Sequence, residues 1–320
     1  MVIMPNQISN FQHYSILLPE ITEQLSIKPH GIYLDGTLGL GGHSLEILKR
    51  LNNQGLLIAF DLDKKAIEMA TNKFRVAGYD NFKIINDNYA NVKAQLDKLE
   101  ITSLDGVLVD LGVSSMQLDD GSRGFSYHQD AKLDMRMNQD SNLSAYEVVN
   151  EYDENSLSRI FWLYGEETFA KRIAAMIVRS RVNKPIETTF ELVEIIKSAF
   201  PKKVLYTMEK HPARKVFQAI RIEVNQELKS LEKFLNDILD FLKPTAKLCV
   251  ITFHSLEDRI VKQFFVDKTS SNLPSKLPIK AKDIKINYEL ITKKPILPSE
   301  QELQENSRSR SAKLRIIQKK

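Results

Sequence analysis

Tyr33-Leu34-Asp35-Gly36-Thr37-Leu38-Gly39-Leu40-Gly41-Gly42-His43-Ser44 decides how the rest of this chain is read. The apolar lead-in from Gly31 to Leu34 reads as a short buried strand. A loop with glycine at 36, 39, 41 and 42 follows, and then a helical pattern of Leu45, Leu48 and Leu51. Glycine permits positive φ and lets a ligand approach the backbone closely. A strand-to-helix loop also turns free N–H groups toward a crevice. No Gly-Lys-Ser/Thr ending is present, so a phosphate-binding P-loop is not expected. The next apolar run, Leu56 to Phe60, ends in Asp61, which follows Gly42 by 19 residues. A carboxylate at about that interval meets ribose hydroxyls in nucleotide-binding folds. Loop and carboxylate together predict a nucleoside-containing cofactor. Asp61 could equally be a strand-end acid capping the helix from Lys64, a task for which Asp63 is as well suited.

Working outward, two further apolar runs repeat the strand-then-helix rhythm. Phe82 to Ile85 reads as a strand, with Asp87 and Tyr89 just past its end; Leu104 to Asp110 is another, again ending in a carboxylate. Helical patterns over Lys64–Val76 and Val92–Leu99 separate them, as His13–Leu25 precedes the first. Short apolar strands alternating with helices indicate a parallel α/β sheet. Ligands of such sheets sit outside the carboxyl ends of the strands. The loop after Asp35, with Asp61, Tyr89 and Asp110, therefore shares one rim. Between about 115 and 212 the strands give way to helix signals. Ser144/Glu147 and Thr188/Glu191 have capping-box spacing, and Asp153 suits a cap. A helix from Glu166 to Arg181 would turn Lys171, Arg172, Arg179 and Arg181 outward, toward nucleic acid or simply toward water. A long helix from Phe217 to Leu242, stopped by Pro244, leads to a strand over Lys247–Phe253 that ends at His254-Ser255. Lys282–Thr292 and Lys313–Gln318 are expected to pair antiparallel at the sheet edge.

At 320 residues, 42% hydrophobic and 27% charged, the chain has the make-up of a globular protein of about two domains. No apolar run approaches the roughly 18 residues of a membrane span, and Met1–Asn10 shows no secretory pattern. A single cysteine rules out a disulfide framework or a cysteine-cluster zinc site. A cytoplasmic protein is expected, with no metal. The net charge is only +4, yet residues 306–320 carry six basic side chains and no acid. Leu314, Ile316 and Ile317 within that block indicate a charged strand rather than a loose tail.

The longer motifs resemble a known family. They are His13-Tyr14-Ser15-Ile16-Leu17-Leu18, Asp35-Gly36-Thr37 through Ser44, Asp110-Leu111-Gly112-Val113-Ser114-Ser115 through Asp119, and Arg123-Gly124-Phe125-Ser126. Leu133-Asp134-Met135-Arg136-Met137, Tyr164-Gly165-Glu166-Glu167, His211-Pro212-Ala213 and Phe217-Gln218-Ala219 extend the likeness, as do Phe253 to Arg259 and Ser311 to Arg315. Over nearly its whole length the chain is similar to the bacterial RsmH (MraW) family of S-adenosylmethionine-dependent methyltransferases, which act on the N4 amine of a decoding-centre cytidine in 16S ribosomal RNA. The resemblance implies a class I methyltransferase fold, Rossmann-like and mostly parallel, with an inserted all-helical subdomain. Residues 1–114 and 213–320 would form the cofactor domain, and 115–212 an RNA-recognition insert. The implied cofactor residues are Gly41, Gly42, His43, Asp61 at the ribose, Tyr89 at the adenine, Asp110 and Gln117. Tyr89 stands where the family usually has phenylalanine, and Met116 where it often has proline. The implied partners are 16S RNA or the small ribosomal subunit, and a second copy of the chain.

Methyl transfer of this kind is a displacement that depends mainly on alignment. Cytosine N4 is a poor nucleophile because its lone pair is delocalised, so an acceptor for an N4–H bond would help. Asp110 and the Ser114 and Ser115 hydroxyls are the candidates, although Asp110 could serve only the cofactor. An extruded base needs apolar or aromatic walls. Phe125, Tyr127 and His254 are candidates, with Phe253 better explained by core packing; Lys171 and Arg172 are candidate RNA contacts. His254-Ser255 near Glu257 does not suggest a hydrolase, since no Gly-x-Ser-x-Gly elbow occurs. Carbon methylation of cytosine needs an activated thiol. Cys249 lies in an apolar run, so amine methylation is expected. A nicotinamide oxidoreductase and a non-catalytic RNA-binding protein are the rival readings.

Overall fold

The structure is a computed structural model that describes residues 15–270 and 286–320. Its elements in order are α1 (Leu18–Leu25), β1 (Ile32–Asp35), α2 (Gly42–Leu51), β2 (Leu56–Asp61), α3 (Lys64–Val76), β3 (Phe82–Asn86), α4 (Val92–Lys98) and β4 (Leu104–Asp110). The helices α5 (Ser115–Asp119), α6 (Ala145–Glu151), α7 (Glu154–Leu163), α8 (Ala170–Ser180), α9 (Thr189–Ser198), α10 (Lys202–Thr207), α11 (Arg214–Asn225) and α12 (Glu227–Ile238) follow. The chain then returns through β5 (Leu242–Thr252), α13 (Ser255–Thr269), β6 (Tyr288–Leu290), α14 (Glu300–Glu305) and β7 (Lys313–Lys319).

The strands form one sheet in the order β3-β2-β1-β4-β5-β7-β6. The first five in that order run parallel, with Leu34 beside Ile58 and Val107, and Val107 beside Leu248. β7 enters antiparallel between β5 and β6. The order reverses between β1 and β4, which opens a crevice above their carboxyl ends. This is the α/β, mostly parallel arrangement expected of a class I methyltransferase.

The inner strands β1, β2 and β4 carry buried apolar runs because both of their faces are covered. Alternate side chains divide between the faces. Tyr33, Leu57, Leu108 and Cys249 meet α1, α2 and α3 on one side. Leu34, Ile58, Val107 and Leu248 meet α4, α12 and α13 on the other. A separate apolar core is built from residues between Phe125 and Val224, including Phe161, Ile173, Ile177 and Ile196. The Ser144 and Thr188 capping boxes form as their spacing suggested.

Several expected boundaries move. The long helix after Pro212 is two helices, broken at Gln226, which takes a left-handed backbone with φ 51°. Arg221 grips Glu227 across that break through two N–H···O bonds of 2.8 Å, so a bidentate ion pair fixes the corner. The helix expected from Glu166 begins only at Ala170, because Glu166 is itself left-handed (φ 48°) and the buried Glu167 carboxylate accepts from the Phe169 amide. Pro244 does not stop a helix. It lies within β5, where the ladder to β4 shifts register between Leu104 and Gly106 and so needs no N–H from a proline. Of the expected C-terminal hairpin, residues 288–290 pair with β7 as anticipated, while its beginning at Lys282 lies outside the described residues, as do His13 and Tyr14.

Candidate active site at the carboxyl ends of the parallel strands

The glycine loop is tied down from three sides. Asp35, buried at the end of β1, accepts from the Thr37 amide (3.0 Å) and from Ser44 Oγ (2.8 Å). Gly36 N donates to the Leu108 carbonyl and Leu38 N to that of Phe60, both at 2.8 Å. Thr37 Oγ1 in turn accepts from the Asp110 amide at 2.6 Å. The loop is thus stitched to β2 and β4 before any ligand arrives. Gly41 has φ +70° as N-cap of α2, and a Cβ there would stand 2.7 Å from the Phe74 ring. Its role is to let the loop pass over α3.

Asp61 and Asp63 divide the two tasks left open by the sequence. Asp63 caps α3 by accepting from Lys65 N (3.1 Å). Asp61 instead faces the crevice and accepts from Gly39 N (2.7 Å) and Asp63 N (2.8 Å). Burial pushes its carboxyl up to about 6, against the pull of those two amide bonds. Past β3, Asn88 caps a short 3-10 turn that starts at Tyr89. The Tyr89 ring stands edge-on to Phe234 of α12, with centroids 5.3 Å apart.

Asp110 is the least satisfied polar group in the crevice. Its Oδ1 is buried without a hydrogen-bond partner, and Oδ2 lies 3.8 Å from His43 Nδ1. Burial, with the nearby charges of Asp35 and Glu257, holds this carboxyl well above the usual range. His43 Nε2 lies 2.9 Å from the Ile16 carbonyl. Only a donor suits that partner, which assigns the proton to Nε2 and leaves Nδ1 bare toward Asp110. Burial also lowers the His43 pKa and so favours the neutral ring. Ser114 caps α5 in a reciprocal box with Gln117, whose Nε2 donates to Asp63 at 3.2 Å.

These groups surround one cavity of about 590 Å³. Gly42, His43, Asp61, Tyr89, Asp110, Ser114, Gln117, Phe125, Tyr127 and His254 all line it. So does Phe253, which also packs against the sheet core. Ser115 is the first residue of α5. Gly41 is not in the lining, consistent with its backbone role. Lys171 and Arg172 are exposed on α8, also outside the lining, so neither touches a ligand held there.

The sequence reading missed the far wall, made by Arg214, Arg221, Glu227 and Glu257. His254 caps α13 in a reciprocal box with Glu257, and its Nε2 is 3.1 Å from Glu257 Oε1. Burial opposes the Glu257 charge, but His254, the Phe253 amide and Arg221 hold its carboxyl below the ordinary range. His-x-x-Glu before an apolar helix is the spacing that would have revealed this pair. Glu227, His254 and Glu257 bring ligand atoms within 4.8 Å of one another. With Arg221 on Glu227 and Glu257 facing His254, the cluster reads as an ion-pair network rather than a metal centre.

A nucleoside whose ribose hydroxyls donate to Asp61 needs that residue ionised. Its affinity is therefore full above about pH 6 and falls by up to about tenfold per pH unit below it. Calorimetry across that range checks this, and Asp61→Asn is expected to bind weakly with a flat profile. A wild-type affinity independent of pH would remove Asp61 from the ribose.

The chain matches the MraW methylase family over residues 10–320. It is 52% identical over 311 residues to the ribosomal RNA small subunit methyltransferase H of Clostridioides difficile (strain 630), covering 97% of this chain and 99% of that one. The protein of the same name from Clostridium botulinum (strain Loch Maree / Type A3) is 51% identical over 310 residues, with the same coverage.

Proposed function

Because the chain belongs to the MraW methylase family, we propose that it uses S-adenosylmethionine to methylate the exocyclic N4 amine of a decoding-centre cytidine in 16S ribosomal RNA. The observation that supports this best is the unpaired, buried Asp110 Oδ1, set at the end of β4 beside the glycine loop in a cavity lined by Tyr89 and Asp61. The cavity walls suit the donor. Asp61 offers a carboxylate to the ribose and Tyr89 an aromatic face to the adenine. The amides at the start of α2 and the Gln117 side chain suit the amino-acid end. When bound, S-adenosylmethionine supplies a methyl group made electrophilic by its sulfonium.

The chain's own residues then act on the base. Phe125, Tyr127, Phe253 and His254 give an extruded cytosine apolar and aromatic walls. The Asp110 carboxylate, which lines the cavity, accepts one N4–H, which localises the nitrogen lone pair for attack. In its ionised form it takes up the proton that N4 loses as the new N–C bond forms. Ser114, committed to its helix cap, is the lesser acceptor. Residues 1–114 and 213–320 are proposed as the cofactor domain and 115–212 as the helical insert that grips RNA, with Lys171 and Arg172 on its outer face. Among the described residues no helix is long and apolar enough to cross a membrane, in keeping with an enzyme that meets its small-subunit substrate in the cytoplasm.

Product analysis tests the reading. Small-subunit RNA incubated with labelled cofactor and digested to nucleosides is expected to yield N4-methylcytidine. Label in 5-methylcytidine, or none, would refute the assignment. Cys249 bears on the same point. Its thiol is fully buried in β5, pushed up to about 12 by burial, and absent from the cavity lining. Cys249→Ala is therefore expected to keep its transfer rate within about twofold; abolished transfer in a folded variant would point to a thiol adduct.

A further inference from the structure

A ladder of rings leaves the cavity and reaches the protein surface. Phe217 and Tyr127 line the cavity and meet edge-on at 5.6 Å. His211 stacks on Tyr127 with centroids 4.6 Å apart and planes within 10°. The exposed His128 adds a fourth ring, 4.5 Å from Tyr127 and 5.6 Å from His211. Burial and the neighbouring His128 and Lys197 lower the His211 pKa, so this ring stacks as a neutral aromatic. His211 Nδ1 also accepts from the Ala213 amide at 3.3 Å, which accounts for one nitrogen of the ring but not for its stacked face.

The chain around His211 is basic, although Glu194 also acts on the ring. Between residues 202 and 215 there are Lys202, Lys203, Lys210, Arg214 and Lys215 against the single acid Glu209. Arg214 lines the cavity, and its guanidinium has no ion-pair or hydrogen-bond partner among the described residues. An unpaired guanidinium lining the same cavity as Tyr127 and Phe217 is the chemistry that holds a nucleotide, phosphate on the cation and base on the rings.

The geometry points to a second nucleotide site. The base adjoining the target cytidine in single-stranded RNA stacks on the His211–His128 end of the ladder, and Arg214 takes the phosphate between the two nucleotides. This site rests on the RNA-methylating reading above and deepens it. It gives the enzyme a grip on the strand flanking the extruded base. Stacking of this kind tolerates any base, so the site fixes position rather than sequence.

The test is steady-state methyl transfer to small-subunit RNA, with cofactor affinity measured separately by calorimetry. His211→Ala is expected to raise the RNA KM roughly tenfold while kcat and cofactor affinity stay within about twofold. His211→Phe, which keeps the ring and loses the bond to Ala213, is expected to recover most of that loss. Arg214→Ala is expected to raise KM and to flatten its salt dependence. Should His211→Ala fail to fold, the exposed His128→Ala carries the same expectation at roughly threefold. An unchanged KM in the folded histidine variants, or a phenylalanine variant as weak as alanine, overturns the second site while leaving the proposed activity standing. A wild-type protein that binds the cofactor but labels no RNA overturns the activity and this site together.

Discussion

Asp110→Asn is expected to lower methyl transfer by about 10²–10⁴-fold in a chain that remains folded. The size follows from what the substitution removes. Asparagine keeps the shape of the side chain and an oxygen that can accept a bond, but it cannot take up the proton that the amine would lose in the proposed reaction. The carboxylate is costly where it stands, because Oδ1 is buried and unpartnered and burial already favours the neutral form. Replacing it with a neutral isostere is thus expected to leave resistance to urea equal or higher. The signature is a large loss of rate without loss of stability, measured as kcat alongside the urea midpoint. Wild-type turnover in the asparagine variant would remove Asp110 from the proton's path. A variant that loses cofactor affinity in proportion to rate would restrict it to a binding role.

Arg123→Ala is expected to cost about 3–5 kcal/mol of stability. Arg123 donates through one terminal nitrogen to Asp63 at 2.9 Å and through the other to the Arg136 carbonyl at 2.8 Å. The side chains of the pair are only 5% and 4% exposed. Cutting away the guanidinium strands a carboxylate in the interior, where its remaining bonds come from Lys65 N and Gln117 Nε2. The penalty is that of an uncompensated buried charge, not of a lost surface contact. A double variant, Arg123→Met with Asp63→Asn, removes both charges and is expected to lose clearly less than the two single changes summed. Urea unfolding measures all three. A loss below about 1 kcal/mol for Arg123→Ala would mean that water reaches Asp63. Since Asp63 also holds Gln117, weaker cofactor binding is expected to accompany the loss.

The parallel sheet was legible because its strands are covered on both faces. Leu56–Phe60 and Val107–Val109 stand out as unbroken apolar runs, and the carboxylates that follow them, Asp61 and Asp110, fall on one rim by topology alone. Asp61, Tyr89 and Asp110 could therefore be placed before any coordinates. The far wall was not legible, because it comes from sequence-distant corners. Arg221 and Glu227 form an ion pair only because Gln226 adopts a left-handed turn that no residue type demanded, and the apolar repeat runs straight through it. Likewise Lys171, Arg172 and Arg179 are exposed on α8 as helical spacing suggested, whereas Arg181, expected outward, is half-buried and donates to the Val149 and Tyr152 carbonyls. Spacing also gives no direction toward the cavity, and Lys171 and Arg172 lie outside its lining.

One consequence of the topology is kinetic. β4 and β5 lie side by side, with Val107 opposite Leu248, although on the order of 140 residues run between them. Helices α7, α8 and α9 are neighbours in both chain and space, so their contacts form without a long search. Compaction of that stretch draws the ends of β4 and β5 together and shortens the effective loop that remains to close. Until it closes, the apolar edge of β4 is bare and offers a template for other chains. Refolding is therefore expected to be slow and sensitive to protein concentration, with aggregation competing at the step that joins these two strands.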